Sequence, residues 1–171
     1  IIQANQNEMH GGQAIPNFDF AMAEGVAQTF RKAYEAALTS FIEVEAGIEY
    51  EAACDFVRHR IMDVIVPVCM SALPELPARI AQALEHAAAD GACPLDPSMA
   101  SRMASYAEKE ALRRTERDTY QAMEALIHNL NTMHSRAGAQ VPFSSINYGT
   151  DTSPEGRMVV KQLLKATDAG L

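Results

Sequence analysis

The sequence predicts an α/β fold that is predominantly helical, and three observations lead to this prediction. Apolar residues recur three or four positions apart along most of residues 21–133, which is the period of an amphipathic helix. Strand-like segments lie near residues 12–18 and 141–148, at the two ends of this helical stretch. A helix start signal follows the second strand directly, so the two together form half of a βαβ unit.

The first three helices have recognisable ends. Helix one is expected to end at Gly47, because glycine adopts the left-handed conformation that terminates helices. Helix two begins near Tyr50 and is expected to kink or end at Pro67, since proline lacks the N–H that a helix interior needs. Helix three covers residues 78–90 and stops at Gly91. The apolar face of helix one contains Val26, Phe30, Ala33, Ala37, Phe41 and Val44.

The last part of the chain predicts a long helical segment, a strand and a final helix. Asp96 and Pro97 supply an N-cap and a first-turn proline for the long segment, in which a charged stretch over residues 109–118 suggests two helices in line. The final helix follows the strand at residues 141–148. Its capping residues are expected to be Thr152, Ser153 and Glu155, and its buried face Val159, Leu163 and Leu164.

Composition limits the possible functions. The chain has 171 residues, of which 48% are hydrophobic and 21% charged, as in a compact globular protein. A net charge of −8 weighs against a protein that binds nucleic-acid backbones, since these need a basic face. No signal peptide is evident, and the most apolar run, residues 61–73, is too short to span a bilayer. We therefore expect a cytoplasmic protein with neither a nucleic acid nor a membrane as partner.

Cysteine and histidine are placed unlike the ligands of a metal site. The cysteines Cys54, Cys69 and Cys93 are odd in number and form no CxxC pair, which favours neither a disulfide framework nor a zinc site. The histidines on the helical patterns have no carboxylate or cysteine at ligand spacing. The sequence thus predicts no metal site, and a reducing compartment suits these thiols best.

Two long motif blocks lie near the ends of the chain. The first is Gln-Asn-Glu-Met-His-Gly-Gly-Gln-Ala-Ile-Pro-Asn-Phe-Asp at residues 6–19. The second covers residues 120–157 and contains His-Ser-Arg-Ala-Gly-Ala-Gln-Val-Pro-Phe-Ser-Ser-Ile-Asn at residues 134–147. Together they resemble the anaerobic (class III) ribonucleoside-triphosphate reductases, a glycyl-radical family. Residues 49–116 match only in helical character, so no functional residue is carried over from them.

The resemblance implies a fold and an activity. Members of this family have a ten-stranded α/β barrel around a thiyl radical, and they convert ribonucleoside triphosphates to deoxyribonucleoside triphosphates for DNA replication. A glycyl radical, installed by a separate iron–sulfur AdoMet activase, generates the thiyl radical. The enzymes are homodimers, and deoxynucleoside triphosphates or ATP bind as allosteric effectors. The expected partners are therefore a ribonucleotide substrate, nucleotide effectors, a second copy and the activase.

The resemblance also places this chain within the family's architecture. We expect one segment of the catalytic barrel domain, with a strand and turn in residues 1–20, a helical layer in residues 21–133, and a loop, strand and helix in residues 134–171. The resemblance implies that a cysteine on an early barrel strand lies upstream of Ile1, that the radical-carrying cysteine lies downstream of Leu171, and that the glycyl-radical segment is missing from these residues. The segment alone should therefore contain no catalytic residue and no cofactor, and it should be inactive by itself.

The loop before the second strand is the first candidate site. In the family, this position is a flexible loop between the effector site and the active site. The corresponding effector-loop residues are His134, Ser135, Arg136, Gly138 and Gln140. An arginine there is suited to pairing with phosphate and a glycine to flexibility. The alternative is a surface turn with a solvated arginine.

The second strand is the candidate substrate-binding site. Since side chains alternate along a strand, Ser145 and Asn147 share one face, and Ser144 shares the other with Ile146. One of these faces is expected to look into the barrel and hydrogen-bond ribose or phosphate oxygens. The alternative is that Ser144, Ser145 and Asn147 satisfy buried backbone groups.

His10, Gly11, Gly12 and Gln13 form a third candidate site, for an effector or for support of a loop. The two glycines allow close approach of a nucleotide or of a neighbouring strand. The alternative is a bulged turn in which His10 caps a carbonyl. A second hypothesis covers the whole chain: a non-catalytic helical module that binds nucleotides or a partner and keeps the reductase motifs as scaffold.

Overall fold

The computed structural model describes residues 13–132 and 143–170 as a mostly helical fold with two parallel strands. This confirms the predominantly helical α/β character that the sequence predicts. The elements in chain order are β1 (Gln13–Ile15), α1 (Phe18–Ala46), α2 (Tyr50–Phe56), a π-helical segment (Val57–Met62), a 3-10 turn (Met70–Ala72), α3 (Leu76–Ala89), a second 3-10 turn (Pro97–Met99), α4 (Ala100–Thr132), β2 (Ser144–Ile146) and α5 (Pro154–Ala169).

Helix ends lie where the glycines predict them. Helix α1 ends at Ala46, and Gly47 follows with a φ of 62°. Helix α3 ends at Ala89, shortly before Gly91 with a φ of 68°. A side chain at either glycine would be strained, because L residues rarely adopt this left-handed backbone. The predicted ends at Gly47 and Gly91 are confirmed.

The second helix departs from the prediction. It changes to a π-helical segment at Val57 and ends at Met62, well before Pro67. The N–H groups of Val64 and Ile65 both donate to the Ile61 carbonyl, at 2.9 and 3.0 Å, and close this end of the helix. Because a π turn holds more residues than an α turn, it rotates the following side chains around the axis. Val64, two residues beyond this segment, is 44% exposed.

Helix α4 is one continuous helix, so the suggestion of two helices in line is wrong. Its charged stretch contains ion pairs at helical spacing: Glu110 contacts Arg113 at 2.7 Å and Arg114 at 2.6 Å. Pairs three and four residues apart support a helix that has little apolar surface to bury. The cap at Asp96 is confirmed, since its carboxylate accepts a bond from the Ser98 N–H at 2.8 Å in the turn that leads into α4.

The described chain forms two compact units, and the first of them, Ala27–Thr115, is helical. Helix α3 packs on the π-helical segment and on the turn before α4. Val44 does not belong to the apolar face of α1, as it is 77% exposed beside an open groove. The fully buried large side chains of this unit are Phe30, Tyr34, Leu38, Ile42, Val57, Ile61, Ile65, Leu76, Ile80, Leu84 and Met103.

The second unit combines Ile1–Val26 with Glu116–Leu171 and contains both strands and α5. On α5, Val159 and Leu163 are buried as predicted, but Leu164 is 49% exposed. Leu164 lies about 140° around the helix from Val159, outside the buried stripe, because each residue advances the helix by about 100°. Within the described ranges, no helix combines the length and apolar character needed to span a membrane.

Candidate functional site

Strands β1 and β2 form the centre of the candidate site. They pair in parallel, with Gln13 opposite Ser144 and Ile15 opposite Ile146. Two further bonds lengthen the ladder: the Gln13 N–H donates to the Phe143 carbonyl, and the Asn147 N–H to the Ile15 carbonyl, both at 2.9 Å. The pairing brings Gln13, from one candidate site, beside Ser144 of another, although the two are far apart in the sequence.

The two faces of β2 differ in their exposure to solvent. Phe143, Ser145 and Asn147 alternate with Ser144 and Ile146 along the strand. The first three are exposed, and the other two are only partly so. We call the side formed by Phe143, Ser145 and Asn147 the open face of β2. It presents a hydroxyl, a carboxamide and an aromatic ring that is 77% exposed, and Ala14 of β1 extends it.

Ser144 lies on the covered face of β2. Its hydroxyl oxygen is buried and has no hydrogen-bond partner among the residues that the structure describes. Leaving a buried hydroxyl unpaired costs about 1–3 kcal/mol, so most such groups find a backbone or side-chain partner. Because the Ser144 hydroxyl is buried, Ser145 and Asn147 are the two polar side chains of this strand that solvent, or a ligand, can reach directly.

A buried carboxylate organises the segment after β2. Asp19, in the first turn of α1, is fully buried. One of its oxygens accepts bonds from the N–H groups of Gly149 and Asp151, at 2.9 and 2.8 Å. The other accepts a bond from the Thr150 hydroxyl at 3.2 Å. The N–H of Asp151, followed by those of Gly149 and Phe20 and the Thr150 hydroxyl, keeps the pKa of Asp19 below its usual value although burial raises it.

The start of α1 also holds the end of β2 through the backbone. The Phe18 N–H donates to the Asn147 carbonyl at 2.9 Å. The preceding residue, Asn17, has a φ of 51°, which turns the chain from β1 into the helix. The peptide groups on both sides of Asn147 are thus bonded, one to β1 and one to α1, while its side chain belongs to the open face.

Helix α5 begins with a close-packed cap. The Ser153 hydroxyl accepts a bond from the Gly156 N–H at 3.0 Å, and the Asp151 carboxylate accepts one from the Ser153 N–H at 2.8 Å. Ser153 is therefore confirmed as a capping residue. A Cβ on Gly156 would lie 2.5 Å from Cγ of Asp151, so a side chain there would displace the loop. Glu155 is buried in this first turn.

Several predicted site residues lie outside the described ranges. They are His10, Gly11 and Gly12 from the first motif block, and His134, Ser135, Arg136, Gly138 and Gln140 from the effector loop. Their roles stay predictions.

Sequence reasoning missed Asp19 and Gly156. Asp19 is the last residue of the first motif block, and an acidic residue in the first turn of a helix that follows a strand was the available signal. Nothing in the sequence indicated that the groups that donate to Asp19 come from residues 149–151, after β2.

The helical unit contains a separate groove of about 480 Å³. It lies between α1 and α4, where Phe41 and Tyr106 have ring centroids 5.7 Å apart and Arg102 contacts Glu45 at 3.1 Å. Over residues 13–132 and 143–170, no three His, Cys, Asp or Glu side chains gather in a way that could hold a metal ion.

Comparison with known proteins gives a consistent match. A family model described as anaerobic ribonucleoside-triphosphate reductase matches residues 1–171. The relative of that name from Salmonella typhimurium is 38% identical over 65 residues, which is 38% of this chain and 9% of the relative. The relative from Enterobacteria phage T4 is 41% identical over 61 residues, which is 36% of this chain and 10% of the relative. The relative from Escherichia coli is 37% identical over 65 residues, 38% of this chain and 9% of the relative. The matched part therefore spans about a tenth of these relatives' length.

Proposed function

The chain belongs to the anaerobic ribonucleoside-triphosphate reductase family, and on this premise we propose that it supplies part of the substrate-binding wall of such an enzyme. The whole enzyme would convert ribonucleoside triphosphates to deoxyribonucleoside triphosphates by radical chemistry. In this proposal the open face of β2 contacts the nucleotide. The radical itself would be installed by a separate AdoMet-dependent activase, and we assign none of the three cysteines to it.

The observation that carries the proposal is the exposure of Ser145 and Asn147 on one side of a strand whose other side is covered. A carboxamide offers both a donor and an acceptor, and a hydroxyl offers the same on a shorter side chain. Ribose hydroxyls need such mixed partners, because each is a donor and an acceptor at once. Phe143, on the same face, adds apolar surface beside these polar groups.

The barrel belongs to the proposal as well. We propose that β1 and β2 are neighbouring strands of a ten-stranded α/β barrel, and that the open face of β2 looks into its interior. The parallel pairing supports this, since barrels of this kind contain parallel strands followed by helices. The sequence order of β2 and α5, a strand directly followed by a capped helix, supports it too.

The effector loop is proposed on the sequence resemblance alone. His134, Ser135, Arg136, Gly138 and Gln140 would connect a bound deoxynucleoside triphosphate or ATP with the substrate site. Gln13 lies beside Ser144 at the start of the strand pair, so residues 10–13 would support this loop from the neighbouring strand. A homodimer in the cytoplasm would complete the arrangement.

The proposed function is tested by Asn147→Ala in the full-length protein, activated under anaerobic conditions. We expect kcat/KM for ribonucleoside triphosphates to fall about 10-fold, the equivalent of one lost hydrogen bond of about 1.4 kcal/mol. Ser145→Ala should have an effect in the same direction. The matched control is Asn129→Ala, which removes an exposed asparagine on α4 of the same unit and should leave kcat/KM unchanged.

Equal kcat/KM values for the Asn147→Ala and Asn129→Ala proteins would contradict a substrate-facing strand. Nucleotide binding without any turnover of the activated wild-type protein would instead favour the second hypothesis, a nucleotide-binding module that keeps the reductase motifs as scaffold.

A further inference from the structure

Asp19 is the residue through which the start of α1 holds the segment that follows β2. Its carboxylate receives the N–H groups of Gly149 and Asp151 and the hydroxyl of Thr150, so three consecutive residues of that segment bond to one side chain. The carboxylate is fully buried. A buried carboxylate without these donors would be strongly unfavourable. The burial of Asp19 therefore requires residues 149–151 to be in place.

The position of Asn147 depends on this arrangement. Its own peptide groups bond to Ile15 and Phe18, at 2.9 Å each. Two residues later the chain passes Gly149, whose φ of 103° suits glycine alone, and bonds to Asp19. Phe18 and Asp19, two successive residues at the start of α1, therefore set the direction in which the chain leaves β2.

The far end of the segment is fixed as well. Asp151, bonded to Asp19 through its N–H, turns its own carboxylate to the Ser153 N–H at 2.8 Å. Gly156 lets this side chain lie against α5, since a Cβ there would come within 2.6 Å of the Asp151 Cβ. Asp19 thus occupies the middle of a chain of contacts that runs from the end of β2 to the first turn of α5.

We propose that Asp19 is a positioning residue for the nucleotide site: by bonding residues 149–151 it holds the end of β2 so that the Asn147 side chain meets the substrate. Asp19 does not touch the nucleotide in this inference, which rests on the proposed function of the open face. The same bonds connect that face with the N-terminus of α5.

Two variants of the full-length protein test this role. Asp19→Ala removes all the acceptors, and we expect KM for ribonucleoside triphosphates to rise about 10-fold or more, because small misplacements of a binding group are costly. In Asp19→Asn the amide oxygen can still accept from Gly149 and Asp151, and its NH₂ can donate to Thr150. Because only charge assistance is lost, KM should rise about 3-fold. This variant also keeps the test decisive if Asp19→Ala does not fold.

Asp96→Ala is the matched control. It removes a carboxylate that likewise accepts a backbone N–H bond, from Ser98 at 2.8 Å, but in the helical unit. A purely structural loss reduces the amount of active protein, so kcat falls while KM stays unchanged, and we expect at most this for Asp96→Ala. Hydrogen exchange at the Gly149 and Asp151 amides, measured on the same proteins, should accelerate in the Asp19 variants only.

Unchanged KM in the Asp19→Asn and Asp19→Ala proteins, with faster exchange at Gly149 and Asp151, would overturn the positioning role and leave the proposed function intact. Failure of the activated wild-type protein to bind any ribonucleoside triphosphate would overturn the proposed function and this role together. A graded rise in KM from wild type to Asp19→Asn to Asp19→Ala, absent in Asp96→Ala, would support both.

Discussion

Single residues after β2 are packed so closely that one methyl group decides whether the loop fits. Gly156 has the Cβ, Cγ and a carboxylate oxygen of Asp151 within 2.7 Å of the place where its own Cβ would lie. Rotating the end of the Asp151 side chain would not remove this clash, and the Asp151 backbone cannot move freely because it is itself bonded to Asp19. Glycine is therefore required at position 156 because the Asp151 side chain lies against it, and not because of its own backbone angles.

We predict that Gly156→Ala lowers the free energy of unfolding by about 1–3 kcal/mol, as overpacking does in well-packed sites. Gly25→Ala is the control in the same unit, because its Cβ would meet nothing within 4 Å in the helix α1. That substitution should stabilise the protein by about 0.5–1 kcal/mol. Chemical denaturation of both variants measures the difference, and equal effects of the two alanines would refute the packing argument.

Some residue-level features could be predicted from the sequence and others could not. The shared face of Ser145 and Asn147 follows from strand alternation alone, and the Ser153 cap from its place before a proline and a helix. The role of Asp19 could not be predicted, because the Gly149 N–H that it binds lies 130 residues away in the sequence. A side chain whose partners are this distant is recognised only when the pairing of β1 with β2 is known.

At the scale of elements, a carboxylate on α4 connects this helix with α5. Glu116 contacts the ammonium groups of Lys161 and Lys165, at 2.9 and 3.2 Å, and the Gln162 amide at 3.1 Å. These bonds, led by that from Lys161, lower the pKa of Glu116 to about 2. Because the Glu116 side chain is 41% exposed and both lysines are more than half exposed, solvent screening keeps the contribution of these bonds to stability small.

The lowered pKa predicts a pH dependence with a definite sign. A carboxylate whose folded pKa is depressed stabilises the fold fully above its unfolded pKa, near 4.5, and loses this contribution as the pH falls towards 2. Wild type should therefore lose about 1 kcal/mol more than Glu116→Gln when the free energy of unfolding is compared near pH 6 and near pH 3. Parallel pH profiles of the two proteins would show that this contact contributes nothing.

Elements differ in how well the sequence predicts them. Gly47 and Gly91 end their helices as predicted, since a left-handed residue leaves few alternatives. The π-helical segment at Val57–Met62, against which helix α3 packs, has no signal in the sequence that distinguishes it from an α-helix. Helix α4 continues through its charged stretch since Glu110 and its arginines support it locally, a pattern that the sequence showed but that we interpreted as a break.

At the scale of the molecule, the helical unit has a core of its own. Phe30 and Tyr34 of α1 are fully buried in it, with ring centroids 5.7 Å apart. Large apolar side chains from α1, the π-helical segment, α3 and α4 contribute to the buried set of this unit. The core of residues 27–115 is thus built from aromatic and aliphatic residues that lie outside the two motif blocks.

We predict that Phe30→Ala costs about 3–5 kcal/mol of unfolding free energy, the usual range for removing a buried phenylalanine. Phe20→Ala, on the same helix, is the control, because Phe20 is 70% exposed and should change stability by less than about 0.5 kcal/mol. Thermal or chemical unfolding of the two proteins provides the comparison. A small effect of Phe30→Ala would contradict the tight packing of this core.

The family membership covers the whole chain, whereas the proposed substrate wall depends on one short strand. The most direct measurement is a crystal structure of the full-length protein with a bound ribonucleoside triphosphate. We expect an amide atom of Asn147 within about 3.5 Å of a ribose or phosphate oxygen, on the open face of β2. A nucleotide bound elsewhere, with protein side chains filling the open face, would contradict the proposed role of this strand.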